Sequence, residues 1–177
     1  PDTADVEYVY DGLMHLGATI AIDTINLIAS KLPEDNLDVD FSHVLDEISV
    51  PQEQENIELK SAPKIFKETC EINWSQPAKI IYDFIRGLSP YPGAWSSLVL
   101  NEGSESKPLV MKVYKTSKTN RAAIGTVGSL VVEKNRLYVN TTDNLLELLD
   151  IQLSGKKRMD AASFLNGFKA ITDYRFV

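Results

Sequence analysis

A mainly β fold with flanking helices is the class this sequence predicts: a small β-barrel of the oligonucleotide-binding type, behind a helical amino-terminal segment. Three observations predict it. Five strand-like runs crowd into about 60 residues after Trp95 and are separated by turn-forming residues. Runs of helical periodicity bracket them, one before the barrel and one after it. The first thirty residues carry apolar side chains at helical spacing with no strand signal.

Taken in order, Asp2 and Thr3 read as an N-cap, followed by Val6, Val9, Tyr10, Leu13 and Leu16. Gly17 predicts an interruption. Ile20, Thr24, Leu27 and Ile28 then place a second helical stretch on one face, ending before Pro33. Two short helices or one kinked helix are expected, with an apolar face in need of a partner surface. From Glu34 to Lys60 the chain turns acidic and reads as linker, with one weak helical turn around His43 to Ile48.

Gln76-Pro77 opens a helix whose expected apolar face is Ile80, Ile81, Phe84, Ile85 and Leu88. Ser89-Pro90-Tyr91-Pro92-Gly93 stops it. Strands are expected over Ser96–Leu100, Leu109–Thr116, Gly125–Val132, Leu137–Thr141 and Leu145–Leu153, with turns at Asn101–Ser104, Lys134-Asn135 and Asp143-Asn144. The clearest alternation puts Leu109, Met111 and Val113 inward and Lys112 and Tyr114 outward. Leu145–Leu149 has the composition of a helix, but Ile151 and Leu153 continue the alternation, so strand is expected. A last helix follows Asp160, with Phe164, Leu165, Phe168 and Ile171 on one side.

The net charge of −7 hides two opposed halves. Residues 1–60 hold fourteen Asp and Glu against only Lys31 and Lys60, a net of −12. Residues 61–177 hold sixteen Lys and Arg against eleven Asp and Glu, a net of +5. On charge alone, the second half fits a nucleic-acid-binding module and an ordinary soluble domain equally. No run of apolar residues is expected to be long enough to span a bilayer, and no basic-then-apolar start reads as a signal peptide. One cysteine, Cys70, excludes an internal disulfide framework and fits a reducing cytoplasm.

Little here suggests chemistry on its own. Cys70, His15 and His43 form no nucleophile–base signature and no metal-ligand spacing, so no metal is expected. Gly125-Thr126-Val127-Gly128 is too short for a phosphate loop. Binding chemistry remains, in three basic groups: Lys64 with Lys67; Lys112 and Lys115, continued by Lys118 and Arg121; and Gly155-Lys156-Lys157-Arg158. Clustered lysine and arginine meet phosphate backbones by releasing condensed counterions. Tyr91 and Trp95 offer stacking faces, but Trp95, like Trp74, is expected in the core.

The stretch APKIFKETCEINWSQPAKIIYDFIRGLSPYPGAW (62–95), with IQLSGKKRMDAASFLNGF (151–168), resembles the carboxyl-terminal part of the methionyl-tRNA formyltransferase family. Lys64-Ile-Phe-Lys67 and Gly155-Lys-Lys-Arg-Met159 match its K-I-x-K and G-K-K-x-M motifs. The resemblance implies transfer of a formyl group from 10-formyltetrahydrofolate to the methionyl amine of initiator tRNA by a monomeric, cytoplasmic enzyme with no membrane partner. It makes residues 1–33 the closing helices of an α/β doubly wound catalytic domain, 34–66 an acidic linker and 67–177 a tRNA-binding barrel. It implies about 150 to 180 further residues upstream that hold the catalytic and folate-binding groups. Asp2-Thr3 is then not the family's catalytic aspartate, no catalytic residue can be assigned here, and the chain alone should be inactive. Related folate-dependent formyl hydrolases and sugar formyltransferases share part of the frame, and a free-standing RNA-binding barrel is the alternative from another class.

Overall fold

The computed structural model describes residues 1–32, 42–50, 58, 60–101 and 107–177. These divide into two compact units, one of Pro1–Val9 with Ile65–Val177 and one of Tyr10–Lys64. Most of the acidic stretch and the Asn101–Ser104 turn beyond Asn101 lie outside the described residues.

Helix α1 runs unbroken over Val6–Lys31. The expected interruption at Gly17 does not occur: a glycine inside a helix costs only about 1 kcal/mol, and the space around its Cα is open. The cap is also displaced from the expected Asp2-Thr3, because Asp5 Oδ1 accepts the Tyr8 N–H at 3.0 Å. No residue of α1 is buried, and its exposed apolar side chains include Leu13, Met14, Leu16, Ile20, Ile22 and Ile25. These positions run around the helix instead of keeping to the one face expected from the spacing. Being continuous, α1 is long and apolar enough to cross a membrane by length and composition, contrary to the expectation that no apolar run is long enough to span a bilayer. Such a surface needs cover from surrounding protein or lipid. Helix α2, Ser42–Ile48, is the expected weak turn, and Glu47 there pairs with Lys31 at 2.9 Å.

The barrel unit opens with a 3-10 turn at Glu68–Cys70 and helix α3 at Ala78–Leu88. Pro77 stands just before α3, and the Ala78 N–H is taken at 2.8 Å by Asp143 Oδ1, 65 residues away. Ala78, Ile81, Tyr82, Ile85 and Leu88 are buried. The face is rotated from the expected one: Ile80 is exposed and Phe84 only half-buried, because α3 sits with its 78–81–85–88 ridge on the sheet.

The strands are β1 (Ala94–Leu100), β2 (Leu109–Ala122), β3 (Leu130–Glu133), β4 (Arg136–Asn140), β5 (Asn144–Leu153), β6 (Met159–Asp160) and β7 (Tyr174–Phe176). They pair in the order β3-β4-β5-β2-β1-β7, all antiparallel, with β6 beside β5. The sheet curls so that its ends meet at a bridge between Ser129 and Arg175 and a bond from Phe176 N–H to Gly128 O at 2.9 Å. Gly128 holds φ +81°, and a Cβ there would lie 2.3 Å from Phe176 O, so closure requires glycine. This left-handed residue also ends the expected Gly125–Val132 strand, leaving only its second half as β3. The strand reading of Leu145–Leu149 holds.

The interior is filled by Leu98, Met111, Val113, Leu137, Val139, Leu146, Leu148 and Ile151, with Trp74 stacked on Phe176 at 4.7 Å. Asp160 caps helix α4 (Ala161–Gly167) by accepting the Ser163 N–H. Phe164 and Leu165 are buried from α4, while Ile171 reaches the core from a 3-10 turn after it.

Candidate nucleic-acid interface

Antiparallel pairing places directly opposed residues on the same side of a sheet. In β1, β2 and β5 one such row is Trp95–Lys112–Gln152. Its neighbours along each strand, Ala94, Ser96, Met111, Val113 and Ile151, are buried, so the row faces outward. Three strands at about 4.8 Å spacing make it roughly 10 Å long.

Residues distant in sequence gather at both ends. Trp95 Nε1 donates to Lys67 O at 2.8 Å, and the Lys67 ammonium lies 5.8 Å from the indole centroid. At the other end, Gln152 Nε2 donates to Lys156 O at 2.9 Å. Lys112 Nζ donates to Pro92 O at 2.9 Å. A depression of about 310 Å³, lined by Val110, Lys112, Gln152, Ser154 and Gly155, runs between the strands and the 155–157 loop. Lys67, Lys156 and Lys157 are exposed and Lys112 half-buried.

Tyr114 extends the face. Its hydroxyl donates to Gln152 Oε1 at 2.7 Å, and the Arg158 guanidinium lies 4.2 Å from its ring centroid. Burial pushes the Tyr114 phenol up, against the opposing pull of Arg158, so the ring stays neutral and keeps its proton for Gln152. Arg158 binds one oxygen of Asp150 through Nε and Nη2, at 2.8 and 2.6 Å, and that contact raises its pKa further. The other oxygen, Asp150 Oδ1, is buried with no hydrogen-bond partner among the described residues. Arg158 therefore has its charge largely paired with Asp150, although its side chain is exposed.

The remaining basic positions lie outside the row. Lys115 follows a bulge in β2 and lines a cleft of about 470 Å³ with Lys118, Tyr82 and Arg86, which Tyr114, Asp150 and Arg158 border from the basic face. That cleft is balanced internally: Lys118 pairs with Asp2 at 2.7 Å, and Arg86 binds Asp83 and donates to Ala4 O. Lys118 holds Asp2 below the usual carboxylate range. Arg121 pairs with Glu133 at 2.7 Å, over the Tyr138 ring. Lys64 is exposed and belongs to the other compact unit.

Trp95 was expected in the core; it packs against the core but remains half-exposed, while Trp74 is buried as expected. Gln152 was missed, since only strand register reveals that it joins Lys112 to the 155–157 loop. No group of three His, Cys, Asp or Glu residues suited to a metal ion occurs among the described residues.

Residues 64–169, covering β1 to β6 with α3 and α4, match the family described as formyl transferase, C-terminal domain. The chain belongs to this family. It is also similar to proteins named methionyl-tRNA formyltransferase. That of Parabacteroides distasonis is 42% identical over 98% of this chain and 49% of its own length. That of Bacteroides fragilis is 43% identical over 94% and 47%, and that of Porphyromonas gingivalis 36% over 93% and 47%. The chain thus spans about half the length of the curated relatives it matches. The resemblance read from residues 62–95 and 151–168 agrees with these matches.

Proposed function

We propose that this chain is the tRNA-holding portion of a methionyl-tRNA formyltransferase, a monomeric cytoplasmic enzyme that moves a formyl group from 10-formyltetrahydrofolate to the methionyl amine of initiator tRNA. The observation that carries the reading is the outward row joining Lys67, Lys112 and the Lys156-Lys157 loop on one barrel face. Sequence places these cations far apart; strand register sets Lys112 between Trp95 and Gln152, whose side chains bond the Lys67 and Lys156 carbonyls, so that in this reading one RNA backbone meets all three. Lys64 and Lys115 are further phosphate contacts in this reading, outside the shared row, whereas Arg158 borders the face with its charge paired to Asp150.

The chain contributes binding and orientation, not bond making. Formyl transfer and folate binding fall to groups outside these 177 residues, so the chain alone is inactive. Residues 1–33 serve as closing helices of a doubly wound catalytic domain, which would cover the apolar residues ringing α1. Residues 34–66 form an acidic linker kept off RNA by charge, and 67–177 form the tRNA-binding domain.

The test is steady-state kinetics of the native enzyme carrying Lys67→Ala and Lys156→Ala. Loss of uniform binding raises KM for methionyl-tRNA by about tenfold and leaves kcat within about twofold. An unchanged KM, with the fold intact by circular dichroism, overturns the assignment of this face.

A further inference from the structure

We infer that Tyr91 is an RNA-stacking residue, mounted by the Ser89–Gly93 turn as a platform for one unpaired base of the bound tRNA. The inference rests on the tRNA-binding reading and adds a contact that the basic groups cannot make.

An isolated exposed aromatic is ordinary on a protein surface. Tyr91 differs in its mounting and its surroundings. It is 84% exposed and sits between two prolines, each with its own φ fixed by its ring. The turn is fastened at both sides of that tripeptide: Gly93 N–H donates to Leu88 O at 2.8 Å, and Lys112 Nζ donates to Pro92 O at 2.9 Å. The Gly93 backbone lies against the Tyr114 ring and the Lys112 stem, within 3.2 and 3.5 Å of a Cβ position. The turn therefore rises directly beside the Lys112 and Tyr114 part of the basic face.

A tyrosine on a stiff turn loses little conformational freedom on binding, so more of its contact area appears as affinity. The other aromatics of the face are engaged. Trp95 has Lys67 over its ring and its N–H bonded, and Tyr114 lies between Arg158 and the Gly93 backbone. Tyr91 has the Lys112 ammonium beside it, with donors left for a phosphate after the Pro92 bond, and an exposed ring for a base, the pairing that single-stranded nucleic acid sites use.

The test measures equilibrium binding of initiator methionyl-tRNA and of a blunt 20-base-pair RNA duplex to the native protein and its variants. Tyr91→Ala and Tyr91→Leu should each weaken tRNA binding by about 5- to 100-fold, the range for loss of one base–aromatic stack. Tyr91→Trp should bind at least as tightly as the native protein. Duplex affinity and the salt slope should not move, since no phosphate contact is lost. Full affinity in Tyr91→Leu overturns stacking in favour of plain apolar contact. Native affinity in Tyr91→Ala, while Lys67→Ala/Lys156→Ala binds weakly, overturns the Tyr91 inference and leaves the basic face standing. Native affinity in both variants overturns the basic-face reading as well.

Discussion

At the scale of single residues, Gly128 and Asp143 do work that no neighbouring sequence reports. Gly128 combines a left-handed φ with a carbonyl where a side chain would stand, so Gly128→Ala should cost about 2–4 kcal/mol. Gly155 has a similar φ of +77° but open space around it, and Gly155→Ala should cost about 1 kcal/mol. Urea denaturation of the two variants separates steric exclusion at the barrel seam from backbone strain alone. Asp143 accepts from Ala78 N–H, Thr141 Oγ1 and Asn144 N–H, and the Ala78 bond is the largest reason its pKa lies below the usual carboxylate range. A carboxylate depressed in the folded state stabilises fully above its unfolded pKa near 4, and that contribution vanishes as pH falls through the lower folded value. Asp143→Ala should therefore lose about 1 kcal/mol at pH 7, with the difference from native shrinking below about pH 4. Chemical denaturation at pH 7 and pH 3 checks the sign. The Gln76-Pro77 helix start was legible locally, whereas its cap was not, because the capping carboxylate lies 65 residues away.

Elements were legible where periodicity and length agreed. The β2 alternation put Met111 and Val113 inward and Lys112 and Tyr114 outward, and the structure has them so. Strand β7 is three residues long and carried no signal of its own; it exists because Phe176 meets Trp74 and closes the seam. Helix α3 shows the limit of a periodic reading. Five apolar residues allowed more than one face, and packing chose Tyr82 over Ile80. Ile85→Ala, at a position 1% exposed, should destabilise by about 2–5 kcal/mol, while Ile80→Ala, 52% exposed, should change stability by under about 0.5 kcal/mol. Equal effects in thermal unfolding would mean that the helix is rotated from the orientation described.

For the whole molecule, the fold class and the three basic groups could be read from composition, turn residues and motif. Their assembly could not, because it depends on which residues oppose one another across β1, β2 and β5, and register is a property of pairing. Nor could the sequence separate lysines turned outward from cations committed internally, such as Arg158 on Asp150 and Lys118 on Asp2. That separation sets the central claim, that the Lys67–Lys112–Lys156 face meets tRNA phosphates. Its most direct test is the slope of log affinity for initiator tRNA against log salt concentration, for native protein and for Lys67→Ala/Lys156→Ala. Two lost phosphate contacts should reduce the magnitude of the slope by about 1.4–1.8, whereas Lys118→Ala, whose charge is paired with Asp2, should leave it within error. An unchanged slope in the double variant, with its fold intact, would contradict the claim.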